Sequence, residues 1–190
     1  MSTTRIISTL ATAALATTGF VAVAAPAQAD RTCSGTITGR TIDDDVVVPA
    51  GATCKLTKSV VKGNVIVRRG ATLQGWQNSI DGNIQSEGHR YVRNTWGRVD
   101  GDVQLEGGSM HHLRGLTVDG NIQLEGNRST QNVIRNRVKG DIQLFSNRSG
   151  TKYVYDNSVD GNLQCKSNTP APKGWNNSVR GTKEDQCRRL

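Results

Sequence analysis

Asp81, Asp100 and Asp119 recur every 19 residues, each directly before a glycine. Carboxylates at a fixed interval suggest cation chemistry. If the chain folds so that these positions stack, neighbours stand about 4.8 Å apart and repel one another. Calcium would compensate them, since it takes several carboxylate and carbonyl oxygens. The plainer expectation is that each Asp caps its own turn, with Lys62 and Lys139 flanking the row. A second acidic row, Glu87, Glu106 and Glu125, has the same interval. Glycoside hydrolysis needs two carboxylates at a set distance. A catalytic site, however, should break a repeat once rather than recur with it, so no catalytic residue is assigned.

The other reactive side chains give weaker signals. Arg90, Arg93, Arg114, Arg128 and Arg135 are candidates for binding a polyanion, because guanidinium matches carboxylate and phosphate through a planar fork. Their alternative is solvated surface. His89, His111 and His112 are the only histidines. In an extended chain His111 and His112 point to opposite sides, and His89 is in register with neither, which disfavours a metal site. Trp76, Tyr155 and Trp175 share one repeat position, and Trp96, Tyr91 and Tyr153 lie near it. These aromatics are expected to pack under loops rather than to form a sugar-stacking platform. No G-x-S-x-G, Walker loop, H-E-x-x-H or CxxC pair is present, and no cofactor signature either.

The elements that position these residues follow from a repeated phrase. Lys62-Gly63-Asn64-Val65-Ile66, Asp81-Gly82-Asn83-Ile84-Gln85 and Asp100-Gly101-Asp102-Val103-Gln104 are three copies. Three more surround Gly120, Gly140 and Gly161, and Arg180-Gly181-Thr182 is a degraded one. A period of 19 to 21 residues indicates a solenoid whose units stack to share one core. Its drift away from a strict hexapeptide multiple favours a single-stranded, right-handed parallel β-helix. Glycine at the turn is expected to supply backbone angles that other residues resist. Val65, Ile84, Val103, Ile122, Ile142 and Leu163 form one inward column. Val67, Ser86, Leu105, Leu124, Leu144 and Cys165 form a second, and Ile80, Val99, Val118, Val138, Val159 and Val179 a third. Outward, Gln85, Gln104, Gln123, Gln143 and Gln164 suggest an amide ladder. So do Asn64, Asn83 and Asn121, with Asp102 and Asp141 interleaved.

Residues 1–29 read as a secretion signal: Arg5, an apolar stretch from Ile6 to Ala25, then Ala27-Gln28-Ala29 as a cleavage site. Residues 30–42 are expected to cap the N-terminal end, and 43–190 to form the β-helix with a C-terminal cap. No membrane insertion is expected after cleavage, and the chain is expected to be monomeric. Export makes disulfides the natural state of Cys33, Cys54, Cys165 and Cys187. Only Cys33–Cys54 with Cys165–Cys187 places each bridge between adjacent coils. The full chain has a formal net charge of +8, and loss of Arg5 with the signal leaves +7. The excess suits an anionic neighbour such as a cell-wall polymer or acidic polysaccharide; the alternative is solubility alone. No basic run interleaved with aromatics points to nucleic-acid readout.

Val47-Val48-Pro49-Ala50-Gly51-Ala52-Thr53-Cys54, Gly161-Asn162-Leu163-Gln164-Cys165, Asn168-Thr169-Pro170-Ala171-Pro172 and Lys183-Glu184-Asp185-Gln186-Cys187 carry a resemblance. They are similar to a group of small exported β-helix proteins of actinobacteria, over essentially the whole mature chain. The group has no assigned activity, so the resemblance implies a fold and secretion but no catalytic residue. A looser resemblance, of fold alone, runs to carbohydrate-active β-helix proteins such as pectate lyases. The function expected is a secreted, non-enzymatic structural or binding module of the envelope or medium. The alternative is a lyase-like enzyme acting on an acidic glycan.

Overall fold

The computed structural model describes residues 30–190, so the secretion signal expected at 1–29 lies outside the described residues. Those residues form a three-sided parallel β-solenoid without a helix. Sheet A holds β1 (Arg31–Thr32), β4 (Val46–Val48), β7 (Val65–Val67), β10 (Ile84–Glu87) and β13 (Val103–Glu106). It continues with β16 (Ile122–Glu125), β19 (Ile142–Phe145), β22 (Leu163–Lys166) and β25 (Lys183–Asp185). Sheet B holds β2 (Thr36–Thr38), β5 (Thr53–Thr57), β8 (Thr72–Trp76) and β11 (Tyr91–Thr95). Its remaining strands are β14 (Met110–Arg114), β17 (Gln131–Ile134), β20 (Lys152–Tyr155) and β23 (Lys173–Trp175). Sheet C is built from two-residue strands: β3 (Thr41–Ile42), β6 (Val60–Val61), β9 (Ser79–Ile80), β12 (Arg98–Val99), β15 (Thr117–Val118), β18 (Arg137–Val138), β21 (Ser158–Val159) and β24 (Ser178–Val179).

Each coil therefore contributes one strand to each sheet, and every strand pairs in parallel with the same strand of the coils before and after. Val103 sits between Ile84 and Ile122, and Leu105 between Ser86 and Leu124. All three inward columns expected from the repeat hold this register. They are buried except for Val179 at the open end, which is partly covered. Aliphatic, largely β-branched side chains suit this narrow core, because they pack well on a pleated surface. Residues 30–42 already give one strand to each sheet, so the segment expected as a cap forms the first coil. Cys33–Cys54 and Cys165–Cys187 are disulfides, with Cα–Cα distances of 5.4 and 5.1 Å, and staple the coils at each end.

The turn glycines serve a purpose other than the one expected from their type. Gly63, Gly82, Gly101, Gly120, Gly140, Gly161 and Gly181 do not adopt positive φ. A Cβ on any of them would instead run into the backbone and side chain of the preceding coil; for Gly101 these are Gly82 and Asn83. Close stacking selects glycine here. The same contact builds a ladder, in which the N–H of each residue after the glycine donates to the side-chain oxygen one coil earlier. Asn83 donates to Asn64 Oδ1 at 2.9 Å, Asp102 to Asn83 Oδ1 at 2.7 Å and Asn121 to Asp102 Oδ1 at 2.7 Å. The glutamine ladder is only partial. Gln85 bonds Gln104 and Gln143 bonds Gln164, whereas Gln104 turns to Asp102.

Two further ladders run inside the corners. Asn127 and Asn147 accept at Oδ1 from backbone N–H groups one coil back, and each donates from Nδ2 to a carbonyl, Leu105 O and Leu124 O, both at 2.8 Å. Asn168 continues this column. Asn136, Asn157 and Asn177 do the same at the corner between sheets B and C. These buried amides satisfy backbone groups that a tight corner leaves unpaired.

Candidate functional site

The acidic row is matched by cations from this chain. Lys62 lies 3.6 Å from Asp81, Arg98 contacts both Asp100 and Asp119, and Lys139 lies 2.8 Å from Asp119. The Lys139 ammonium, followed by the Arg98 guanidinium, holds the Asp119 carboxyl below its ordinary range. The neutralisation that stacked carboxylates require is thus supplied without a metal ion. Among the described residues no group of three or more His, Cys, Asp and Glu is arranged to hold one. Glu87, Glu106 and Glu125 form a continuous row on sheet A. Glu87 and Glu106 border a depression of about 490 Å³ that also presents Arg68 and Arg69, with Arg69 3.8 Å from Glu87. Charges of both signs offset each other there.

Sheet B differs. In a strand, alternate side chains point outward, so this face carries three outward columns. One runs Thr53, Thr72, Tyr91, Met110. The second runs Lys55, Gln74, Arg93, His112, Asn132, Tyr153, Lys173. The third runs Thr57, Trp76, Thr95, Arg114, Ile134, Tyr155, Trp175. No outward position of these strands is a carboxylate. None of Lys55, Arg93, Arg114 and Lys173 is ion-paired among the described residues. Basic and aromatic side chains therefore share one flat, unopposed face.

The aromatics do not pack under loops, as their sequence positions had suggested. Trp76 is 38 % exposed, Trp96 50 %, Tyr153 37 % and Trp175 58 %. No loop is available to cover them, because β8 to β20 are joined by corners a few residues long. Trp96 sits at the corner after β11 with φ of 55°, and its ring extends over Gly115 of the next coil. A Cβ at Gly115 would strike that ring. Arg114 lies beside the ring, 5.9 Å from its centre, and Lys58 lies 5.1 Å from that of Trp76. Tyr155 and Trp175 stack with centres 4.6 Å apart and planes 3° from parallel.

Trp76, Tyr91, Arg93, Trp96, His112 and Arg114 enclose a depression of about 320 Å³. Arg114 Nε is buried without a hydrogen-bond partner among the described residues. Burial, then the charges of Arg114 and Arg93, push the His112 pKa down. Of the five arginines read from the sequence, Arg90, Arg93 and Arg114 belong to this face. Arg90 bonds Thr72 Oγ1 at 3.1 Å along its edge. Arg128 lies at another corner beside Arg148, and Arg135 pairs with Asp156 at 3.3 Å. The sequence reading missed Lys55 and Lys173, which belong to no motif and meet the arginines only through the coil register.

His111 and His112 do face opposite ways, His111 into the core. His89, although out of register, meets it there, with ring centres 5.9 Å apart. His111, Gln131 and Lys152 follow Leu73 and Val92 in one inward column. The Lys152 ammonium donates to the carbonyls of Ser149, Gly150 and Thr169. No protein-family model, curated protein or solved structure matches this chain.

Proposed function

We propose that the outward face of sheet B binds an anionic polysaccharide, and that the protein is a secreted, non-enzymatic binding module of the cell envelope or surrounding medium. The observation that carries this is the union of unpaired cations and exposed aromatic rings on a face with no carboxylate. Guanidinium and ammonium groups neutralise acidic substituents, and aromatic rings offer apolar area to the C–H faces of sugars. Two disulfides are compatible with an oxidising, extracellular setting. The expected export signal and the resemblance to small exported β-helix proteins support the same location.

The test is retention of the purified protein on immobilised polygalacturonate and on isolated wall polymer. Retention should fall steeply between low and physiological salt, as screening requires. Charge reversal at Arg93 and Arg114 should abolish it, and reversal at Arg128 should leave it intact. Equal loss from all three reversals would reduce the interaction to net charge and overturn the assignment to sheet B.

A further inference from the structure

The aromatic side chains of sheet B fall into two groups. The first is Trp76, Tyr91 and Trp96, around the depression that contains Arg93 and Arg114. The second is Tyr153, Tyr155 and Trp175, beside Lys173. Trp96 follows β11 and Trp175 ends β23, four coils further along sheet B. At about 4.8 Å per coil Trp96 and Trp175 stand roughly 19 Å apart along the solenoid axis, and the facing strands of the two groups, β11 and β20, roughly 14 Å apart. The outward positions between them, on β14 and β17, include Met110, Asn132 and Ile134 but no carboxylate. Asp156, at the corner after β20, is occupied by Arg135 and Asn176.

We infer that the ligand is a uronic-acid-bearing glycan lying along the solenoid axis, across the strands, and gripped at both aromatic groups at once. This rests on the polysaccharide-binding reading above. The rings select a glycan over a linear phosphodiester polymer, because a phosphodiester backbone has no ring face to lay on Trp96. The guanidinium groups of Arg93 and Arg114, neither ion-paired among the described residues, supply the carboxylate contact at the first group, and Lys173 supplies it at the second. Parallel strands in register place successive outward positions about 4.8 Å apart along the axis, so a chain running that way crosses one column position per coil from one grip to the other. Two linked contacts bind with an effective concentration set by the connecting segment, and the gain vanishes when that segment cannot span the sites. The face therefore measures ligand length: an oligomer shorter than about 14 Å engages one group only, and one longer than about 19 Å reaches from Trp96 to Trp175.

The experiment is titration calorimetry with oligogalacturonides of graded length, whose extended spans run from well below to well above these distances. The parent protein, Trp96→Ala, Trp175→Ala and the double variant are compared, with folding checked by circular dichroism. Affinity should step up by at least about tenfold once the span is exceeded. Each single variant should lose about tenfold for the long oligomers, and the double variant should lose the length step. The short oligomers should be unaffected by Trp175→Ala or by Trp96→Ala, according to which group they occupy. A smooth rise of affinity with length, insensitive to Trp175→Ala, would overturn two-point binding while leaving polysaccharide binding in place. An equal step with linear polyphosphate would overturn the choice of glycan. Failure of every oligomer and of the polymer to bind would sink the underlying reading together with this one.

Discussion

The rings of His89 and His111 face each other inside the solenoid, 5.9 Å between centres, with no carboxylate among the inward residues around them. His89 Nδ1 pairs with Ser86 Oγ at 3.1 Å, while His89 Nε2 and both His111 nitrogens have no partner. Burial lowers the His89 pKa to about 4; burial and then the neighbouring His89 push His111 well below its ordinary value.

Both folded-state pKa values lie below the unfolded value near 6.5, so the unfolded chain binds more protons between them. Stability should be complete above pH 6.5 and decline as pH falls from there through about 4. His89 alone should account for roughly 3 kcal/mol of that decline. His111→Leu, which continues the Leu73–Val92 column, should flatten the dependence. Thermal melts across this range check it; an unchanged slope in His111→Leu would exclude His111 as a source.

The inward and corner side chains should dominate stability. Leu124→Ala opens a cavity in a narrow core and should cost about 2–5 kcal/mol. Asn136→Ala strands Leu116 N–H and Leu113 O and should cost about 1–3 kcal/mol. Gln123→Ala, facing outward, should cost less than about 1 kcal/mol. Denaturant melts that rank these three in another order would contradict the column assignment.

Gly115→Ala tests how Trp96 is presented. Gly115 has φ of +64°, and its added methyl would meet the Trp96 ring. The substitution should lift that ring, shift its fluorescence and weaken polysaccharide retention, at a stability cost of about 1–2 kcal/mol. Unchanged fluorescence and retention would show that the ring does not rest on this glycine.

Removal of either disulfide should act locally. Cys33→Ser with Cys54→Ser should destabilise by up to roughly 3 kcal/mol and speed hydrogen exchange in the first two coils. Protection around Leu124 should hold, because each coil contacts only its neighbours. Uniform loss of protection would mean that the array unfolds as a single unit.

The glycine register made the coils, the three aliphatic columns and both disulfides legible in the sequence, because each depends on one period. The corner asparagines were legible too but were passed over. Asn136-Arg137-Val138, Asn157-Ser158-Val159 and Asn177-Ser178-Val179 repeat one pattern directly before a recognised core position. The basic, aromatic face was harder to read. Arg90, Tyr91, Arg93 and Trp96 are close in the chain, but Lys55 and Lys173 are far from them and share no motif with them. They come together only when the coils stack. The contact of His89 with His111 was not legible for a related reason, since register along a column says nothing about side chains that meet across a corner.

The side-chain ladder at the turns asks only for an acceptor oxygen one coil back, and Asn64, Asn83, Asp102 and Asn121 all supply it. Coils are thereby interchangeable at their seams. Excision of residues 100–118 would bring Asn121 N–H onto Asn83 Oδ1, a bond of the kind the chain already makes. A gene encoding this protein can gain or lose whole coils in register, and with each the spacing between the two aromatic groups changes by a single step. If the face grips a glycan at both groups, each coil gained or lost between them would change the ligand length it spans by about 4.8 Å.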